Sequence, residues 1–437
     1  MNELHDVVME MLHEAAVPDG MSILSSSRSS MFRFSRNRMT VANSLDEASL
    51  TVFVRHSQGS SSVTVADMRE EAVREAVSGL ILGLPQDDGQ EQRLPIGPFS
   101  YDLRHRDPVN LEGDELVDLV QRSVASARKA GAEQVAGTLQ VANQRLSLRS
   151  TRGVEAETLV PELELSIRAF LDPQRSGHGL SVSDTLAGLD AEGAGTEAGS
   201  LAAACQKVVD CAPGPYEALL HPMVAADLSS QLGSMASAFY LDVGMSFLAD
   251  RLGEEVCSPL FTLADDPTGT GALGCRPFDD EGTPTRSKTI VRDGVWESVL
   301  HNHATASKAG TASTGNAGLV SPQPFNLMVS PGASDRRSML ESMDRGIVVS
   351  NIWYLRYQNY RSGDFSAIPR DAMFLVEDGE VVGSLRDLRI SDNILGILSG
   401  LRSLSEERRW VRWWEVDTPT LSPYMLCDRV NFTRSTM

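Results

Sequence analysis

The chain predicts an α+β protein in two parts: an N-terminal α/β domain with helices on a mixed sheet, residues 1–200, and a β-rich C-terminal domain with antiparallel hairpins, residues 201–437. Three observations carry this expectation. The 437 residues exceed the roughly 250–300 at which one hydrophobic core stops growing. Up to residue 200, strand-like alternation is interleaved with helical periodicity. After Pro213 one long helical pattern gives way to short β segments punctuated by Gly-Asp, Asp-Gly and Pro-Gly pairs.

Taken in order, an opening helix is expected over residues 2–16, whose His13-Glu14 pair is read as a solvated helix end because no second histidine follows at metal-binding spacing. Apolar-polar alternation predicts strands over 49–55 and 62–66. Asp67, with Glu70 three residues on, reads as the cap of a helix over 68–80. The next helix, 114–130, sets Val117, Val120, Val124 and Ala127 on one face and stops at Gly131. Strands over 134–142 and 144–150 follow, joined at Asn143 as a hairpin. Another strand covers 162–171. Ser176-Gly-His-Gly179 and the Gly/Ala/Glu-rich stretch 190–200 interrupt the pattern and read as a linker, with a helix over 201–211 leading out of it.

In the second part, His221-Pro222 marks a helix start, because proline at the first helical position lacks only an N–H that has no intrahelical partner. That helix is expected over 223–239, with Val224, Leu228, Leu232 and Met235 on its apolar face. Asp293-Gly294, flanked by strands 286–292 and 295–302, and Asp378-Gly379, flanked by 372–377 and 380–385, predict two hairpins.

A formal net charge of −20 disfavours any sequence-independent hold on nucleic acid, where Lys and Arg must neutralise phosphates. No apolar run approaches the roughly 20 residues of a membrane span, and no basic-then-apolar leader opens the chain. A cytoplasmic protein with no membrane contact is expected. The five cysteines, Cys205, Cys211, Cys257, Cys275 and Cys427, contain no Cys-x-x-Cys pair, which argues against a disulfide framework and a zinc ribbon; reduced, mostly buried thiols are expected.

Several clusters bear on chemistry. Asp279, Asp280 and Glu281 put three carboxylates in a row, but adjacent residues of an extended chain point to different faces, and Gly282 and Pro284 favour turn and capping roles. His301 and His303, two apart on an expected strand, share a face that suits a metal, without an evident third ligand. Arg361-Ser-Gly-Asp-Phe-Ser366 joins a glycine to an aspartate able to bond local amides, the makings of a rigid loop. Trp353, Tyr354, Tyr357 and Tyr360 precede it. Arg408-Arg-Trp-Val-Arg-Trp-Trp414 reads as a partner-facing patch or a strand rim.

In order and spacing, Arg276-Pro-Phe-Asp-Asp-Glu-Gly-Thr-Pro-Thr-Arg286, Ser313-Thr-Gly-Asn-Ala317 and Arg361-Ser-Gly-Asp-Phe-Ser366 resemble the C-terminal half of the TldD/PmbA family, a two-subunit zinc-dependent peptidase system. The resemblance is strong over 220–396 and diffuse before residue 200. In the metal-bearing subunit a helix carries His-Glu-x-x-x-His. The matching stretch here keeps His221, has Pro222 where the glutamate is needed, and has Ala226 at the second histidine; one imidazole does not hold zinc alone. Cys427 falls where catalytic subunits supply a thiolate, but lacks the two histidines.

The resemblance therefore implies a TldE (PmbA)-like subunit with no catalytic residue and no cofactor of its own. Zinc is expected in a TldD-like partner, and unfolded peptide is the expected substrate, aligned by strand addition. Gly363, Asp364 and Phe365, with Asp280 and Thr283, are the candidates for shaping the shared cavity. A homodimer is expected when the partner is absent. Two other readings stay open: a stand-alone hydrolase with a metal at His221, His301 or His303, which requires these to converge, and a homo-oligomeric peptide-binding module.

Overall fold

A computed structural model of the chain describes residues 2–85, 93–101, 106–111, 113–269 and 273–434. The N-terminal part runs α1 (Asn2–Glu14), β1 (Gly20–Ser35), β2 (Arg38–His56), β3 (Gly59–Val65), α2 (Glu70–Leu82), α3 (Asp114–Lys129), β4 (Gln134–Ser150), β5 (Glu155–Asp172), β6 (Arg175–Ser183) and α4 (Ala191–Ala204). Its strands form one sheet in the order β3-β2-β1-β4-β5-β6, antiparallel at every pair.

Side chains alternate across each strand, so the sheet has two apolar faces. On one, Leu24, Leu50 and Val52 pack against Val8 and Leu12 of α1 and Val73 and Val77 of α2, while Leu139, Leu165 and Ile167 pack under α3 and α4. The other face carries Met21, Ile23, Phe53 and Leu148, which meet Phe278 of the C-terminal part.

Four sequence expectations are corrected here. Residues 134–150 form a single strand: Asn143 sits mid-ladder opposite Arg28 and Pro161, and its amide bonds both the N–H and the C=O of Val109, at 2.9 and 2.8 Å. Asp67 does not cap α2. It takes the N–H and the guanidinium of Arg69, and the helix opens at Glu70 without a side-chain cap.

The supposed linker is ordered structure. Ser176–Gly179 lies in β6, and 190–200 forms most of α4, which crosses residue 200 and ends at Ala204 rather than running over 201–211. Its composition serves close packing, not flexibility. A Cβ at Gly195 would lie 2.1 Å from the Ser123 carbonyl oxygen of α3, and one at Gly199 would lie 2.2 Å from that of Ala127. On the opposite side, Cβ atoms at Gly177 and Gly179 of β6 would strike the α4 carbonyls of Ala198 and Ala194 at 2.2 and 2.0 Å. Asp190 caps the helix through the Gly193 N–H, 2.8 Å.

The C-terminal part contains β7 (Gly214–Leu220), α5 (Pro222–Met235), α6 (Ala238–Asp242), β8 (Leu263–Asp265), β9 (Lys288–Arg292), β10 (Val295–Trp296), α7 (His303–Lys308), β11 (Leu327–Val329), α8 (Arg336–Glu341), β12 (Arg345–Val349), β13 (Trp353–Asn359), β14 (Asp364–Ile368), β15 (Met373–Glu377), β16 (Glu380–Ser384), β17 (Leu388–Asn393), α9 (Ile394–Ser399), β18 (Leu401–Trp413) and β19 (Val416–Arg434). These make a 13-stranded sheet. It is mixed, because β7 pairs with β12 and β11 with β19 in parallel while the remaining named pairs are antiparallel.

Both Asp-Gly hairpins form. Asp293 and Gly294 have φ of 48° and 82°, and Asp378 and Gly379 have 51° and 76°, the left-handed pair that a two-residue turn of right-twisted strands requires. The fold is thus α+β, as the sequence predicts, but the mixed sheet expected in the N-terminal part is found in the C-terminal one, and the N-terminal sheet is antiparallel throughout. Buried or half-buried ion pairs span the two parts: Arg55 to Glu281 at 2.8 Å, Arg168 to Asp371 at 2.6 Å and Arg412 to Glu162 at 3.0 Å.

Gly195→Ala is expected to push α4 off α3 and lower stability by about 2–3 kcal/mol, read as a fall in urea midpoint. Gly79→Ala on α2, whose Cβ has nothing within 4 Å, should instead be neutral or stabilise by about 0.5–1 kcal/mol. Equal effects at the two sites would contradict the packing assigned to α4.

Candidate functional site

Strand β7 lies between β12 and β19 and delivers His221 to the junction of the two parts. There the backbone turns into α5. Pro222 occupies the first helical position, and His221 is the N-cap, its Nδ1 accepting the Met223 N–H at 3.2 Å. With Nδ1 an acceptor, the ring proton belongs on Nε2, which lies 3.0 Å from Glu197 Oε1 of α4. Arg409 of β18 grips the same carboxylate in a fork, at 2.5 and 2.9 Å. The Tyr424 ring stands edge-on to the imidazole at 5.1 Å.

These four residues line a cleft of about 760 Å³, together with Arg336, Glu407, Leu219, Leu340 and Phe374 among others. Burial alone would raise the Glu197 carboxyl, but the His221 imidazole and then the Arg409 guanidinium outweigh it and hold the group well below the usual carboxylate range. Burial lowers His221, with Arg409 adding to the effect and Glu197 opposing it, so the ring stays neutral.

Neither nitrogen of His221 has a lone pair left for a metal. One turn further along α5, Ala226 is fully buried in an apolar cluster with Leu180, Met223, Val411, Trp413 and Val416. Trp413 there meets the rings of Trp353 and His178, each centroid 4.9 Å away. Indoles and aliphatic groups therefore fill the space beside α5 where a second imidazole would have to reach. The next residue, Asp227, is buried, and burial raises its carboxyl well above the ordinary value. Cys427 lies inside β19, paired with Leu401 and Ala218, and burial pushes its thiol up to about 12. All five cysteines are buried, and none forms a disulfide.

The other histidines do not join His221. Residues 301–303 are not a strand: Asn302 caps α7 in a reciprocal capping box with Thr305, and His303 begins the helix. The two imidazoles consequently diverge. His301 Nδ1 lies 3.2 Å from Thr305 Oγ1 and His303 Nε2 lies 3.1 Å from Thr283 Oγ1. Among the described residues, no group of three or more His, Cys, Asp or Glu side chains is disposed to hold a metal ion.

The three carboxylates each have structural partners. Asp279 accepts the N–H groups of Glu281, Thr283 and Ala317 at 2.9–3.0 Å; burial, with Glu281 adding, pushes its carboxyl up to about 8 against those amides. Asp280 pairs with Arg276. Glu281 takes Arg55 through one oxygen and the His303 N–H through the other, at 2.8 and 2.9 Å. The 361–366 loop is rigid in the way its residues suggest: Gly363 has φ of 81°, Asp364 accepts from Ser362 Oγ and Asn393 Nδ2, and Phe365 is buried in the main core. This loop and the Asp280–Thr283 turn are separate features, and neither lines the His221 cleft.

Sequence reading singled out His221 but not Glu197, Arg409, Tyr424 or Arg336. Glu197 fell within the presumed linker. Arg409 lay in the Arg/Trp run, which lies on β18, a strand that pairs only with β19 among the named strands; Arg409 and Arg412 pair with carboxylates of the N-terminal part and Trp413 is buried, leaving Trp414 exposed.

A family model described as the PmbA/TldA metallopeptidase C-terminal domain matches residues 213–434. A metalloprotease of Methanocaldococcus jannaschii is 29% identical over 211 residues, 46% of each chain. A PmbA homolog of Haemophilus influenzae, also named a metalloprotease, is 28% identical over 186 residues, 42% of this chain and 40% of the relative. The chain thus spans under half the length of these curated relatives. In fold it matches a Thermotoga maritima protein over 99% of this chain and 100% of that one, with a TM-score of 0.85 at 24% identity. It matches TldE of Thermococcus kodakarensis over 98% and 100%, with a TM-score of 0.83 at 21% identity.

Glu197→Gln is expected to destabilise the chain by about 3 kcal/mol at neutral pH, since it leaves Arg409 partly buried without its charge partner. The folded-state pKa of Glu197 lies below its unfolded value, so its contribution is complete above about pH 5 and is lost as the pH falls through the folded value. Urea melts from pH 7 to 3 should show the gap between variant and native chain closing below about pH 4.5. A gap that is constant with pH would contradict an ionised Glu197. His178, which burial lowers from 6.5 to about 4, acts in the same sense: stability should decline as the pH drops from about 6.5 toward 4, because only the unfolded chain takes up that proton.

Proposed function

The chain belongs to the PmbA/TldD metallopeptidase family, and from that premise we propose that it is the TldE-like, non-catalytic subunit of a heterodimeric zinc metallopeptidase acting on unfolded peptides or peptide-like intermediates in the cytoplasm. The observation that carries this reading is the state of α5. Pro222 replaces the general base, both nitrogens of His221 are committed to the helix cap and Glu197, and Ala226 lies under Trp413. The residues present do not fit a zinc ion, so no step is routed through a metal in this chain.

In this reading the TldD-like partner contributes zinc, the base on its water and a thiolate, and this chain completes the cavity that admits and aligns an extended peptide. Gly363, Asp364 and Phe365 fix one wall segment and Asp280 and Thr283 another, through the rigid turns described above. The architecture supports a binding role, since His221, Glu197 and Arg409 in the cleft are bonded to one another and His221 is left with no free base. An imidazole held neutral by burial, donating to a carboxylate that Arg409 already saturates, has no lone pair free to deprotonate a substrate.

The test compares the purified chain with the chain co-expressed with a TldD-like protein, measuring bound zinc by elemental analysis and hydrolysis of an unfolded peptide. Stoichiometric zinc and turnover are expected only in the pair. Zinc and turnover in the lone chain would overturn the reading, as would a stable homo-oligomer that fails to associate with any such partner.

A further inference from the structure

The cleft beside His221 has two kinds of wall. Leu201, Leu219, Leu340, Val348 and Phe374 make an apolar side, and the charged residues gather elsewhere on the lining. Most of those charges are already matched. Asp190 caps α4, Glu192 pairs with Arg122 at 3.1 Å, and Glu197 and Arg409 pair with each other. Arg336 and Glu407 remain, each without an ion pair among the described residues.

Arg336 is not simply adrift in solvent. Its guanidinium lies 5.3 Å from the centroid of the Tyr424 ring, a cation held over an aromatic face. Tyr424 is itself buried, only 5% exposed, and its hydroxyl has no hydrogen-bond partner among the described residues. Asp335 fixes the start of α8 by accepting the N–H groups of Arg337 and Ser338 at 2.9 and 3.0 Å, which sets the backbone from which Arg336 projects.

A forked cation beside a free phenolic donor, in a cleft that shares its lining with Leu219, Val348 and Phe374, is complementary to an anion carried on an apolar body. Glu407 on the same lining opposes a dianion, so a singly charged carboxylate fits better than a phosphate. We propose that this cleft binds the free C-terminal carboxylate of a short extended peptide ending in an apolar residue. The carboxylate bonds Arg336 and the Tyr424 hydroxyl, and the terminal side chain lies on the Leu219–Phe374 wall. The proposal rests on the peptide-handling reading above and assigns to this chain a subsite of its own.

Isothermal titration calorimetry on the purified full chain, with neither zinc nor partner present, tests it. The probes are N-acetylated alanyl-leucine with a free carboxylate, its C-terminal amide, and inorganic phosphate. The free acid should bind and the amide should bind at least about tenfold more weakly, the factor expected for one lost charge-assisted hydrogen bond. Phosphate should not compete. Arg336→Gln is expected to weaken the acid about tenfold, Tyr424→Phe to weaken it less, and Arg337→Gln, which removes an exposed arginine paired with Glu341, to leave it unchanged. Equal binding of acid and amide, no binding of the acid at millimolar concentration, competition by phosphate, or an unaffected Arg336→Gln variant with a native melting curve would each overturn the proposal. Because the assay contains no catalytic component, its failure is separable from failure of the subunit reading, which the zinc measurement decides.

Discussion

The junction of the N-terminal and C-terminal parts is organised around one half-buried acid. Glu197 sits on a helix that belongs by packing to the N-terminal sheet, while the groups that bind it, the Arg409 guanidinium with its charge and the His221 ring with a hydrogen bond, come from the C-terminal sheet and the start of its first long helix. A carboxylate taken out of water is tolerated only with close, well-directed partners, so burying it at the junction leaves one relative placement of α4, β18 and α5 in which all three are satisfied. Arg55–Glu281, Arg168–Asp371 and Arg412–Glu162 repeat the arrangement along the same junction. An interface tied by directional charges specifies orientation more sharply than apolar contact alone.

The same clamp decides what α5 is able to do. A helix that begins at His221-Pro222 uses its only imidazole to cap itself and to face Glu197. The positions that would complete a metal site are a proline ring and a methyl group beneath Trp413. The neighbourhood has been filled rather than emptied: indoles and aliphatic side chains occupy the space beside Ala226, and His178 is stacked among them as a buried neutral ring. What remains at the junction is a cleft lined by His221, Glu197, Arg409, Arg336 and Tyr424.

The acidic turn at 279–281 and the histidine pair at 301–303 show the same economy. Glu281 binds Arg55 of the N-terminal sheet and the first N–H of α7, while His303 reaches back to Thr283. Three carboxylates that resemble a cation site in linear order are parted by the turn at Gly282, each facing a different set of donors. The backbone amides around Asp279 take the place a cation would have filled.

By itself the sequence determined the features whose cause is local. Asp-Gly turns need left-handed backbone at both residues, proline after His221 needs a helix start, and the absence of a glutamate and a second histidine on α5 is a matter of residue identity. The helix over 114–129 was legible for the same reason, since its apolar spacing and its glycine stop lie within one segment. Tertiary structure alone decided the rest. The Gly/Ala stretch at 190–200 has no amphipathic period because α4 is covered by α3 on one side and β6 on the other, where only the lack of a Cβ permits contact. Asn143 looks like a turn residue until the 109 backbone supplies its partners. Glu197, Arg409, Tyr424 and Arg336 are separated by up to 227 positions in sequence (424 − 197), and no local pattern marks residues whose only common property is that two sheets bring them to one cleft.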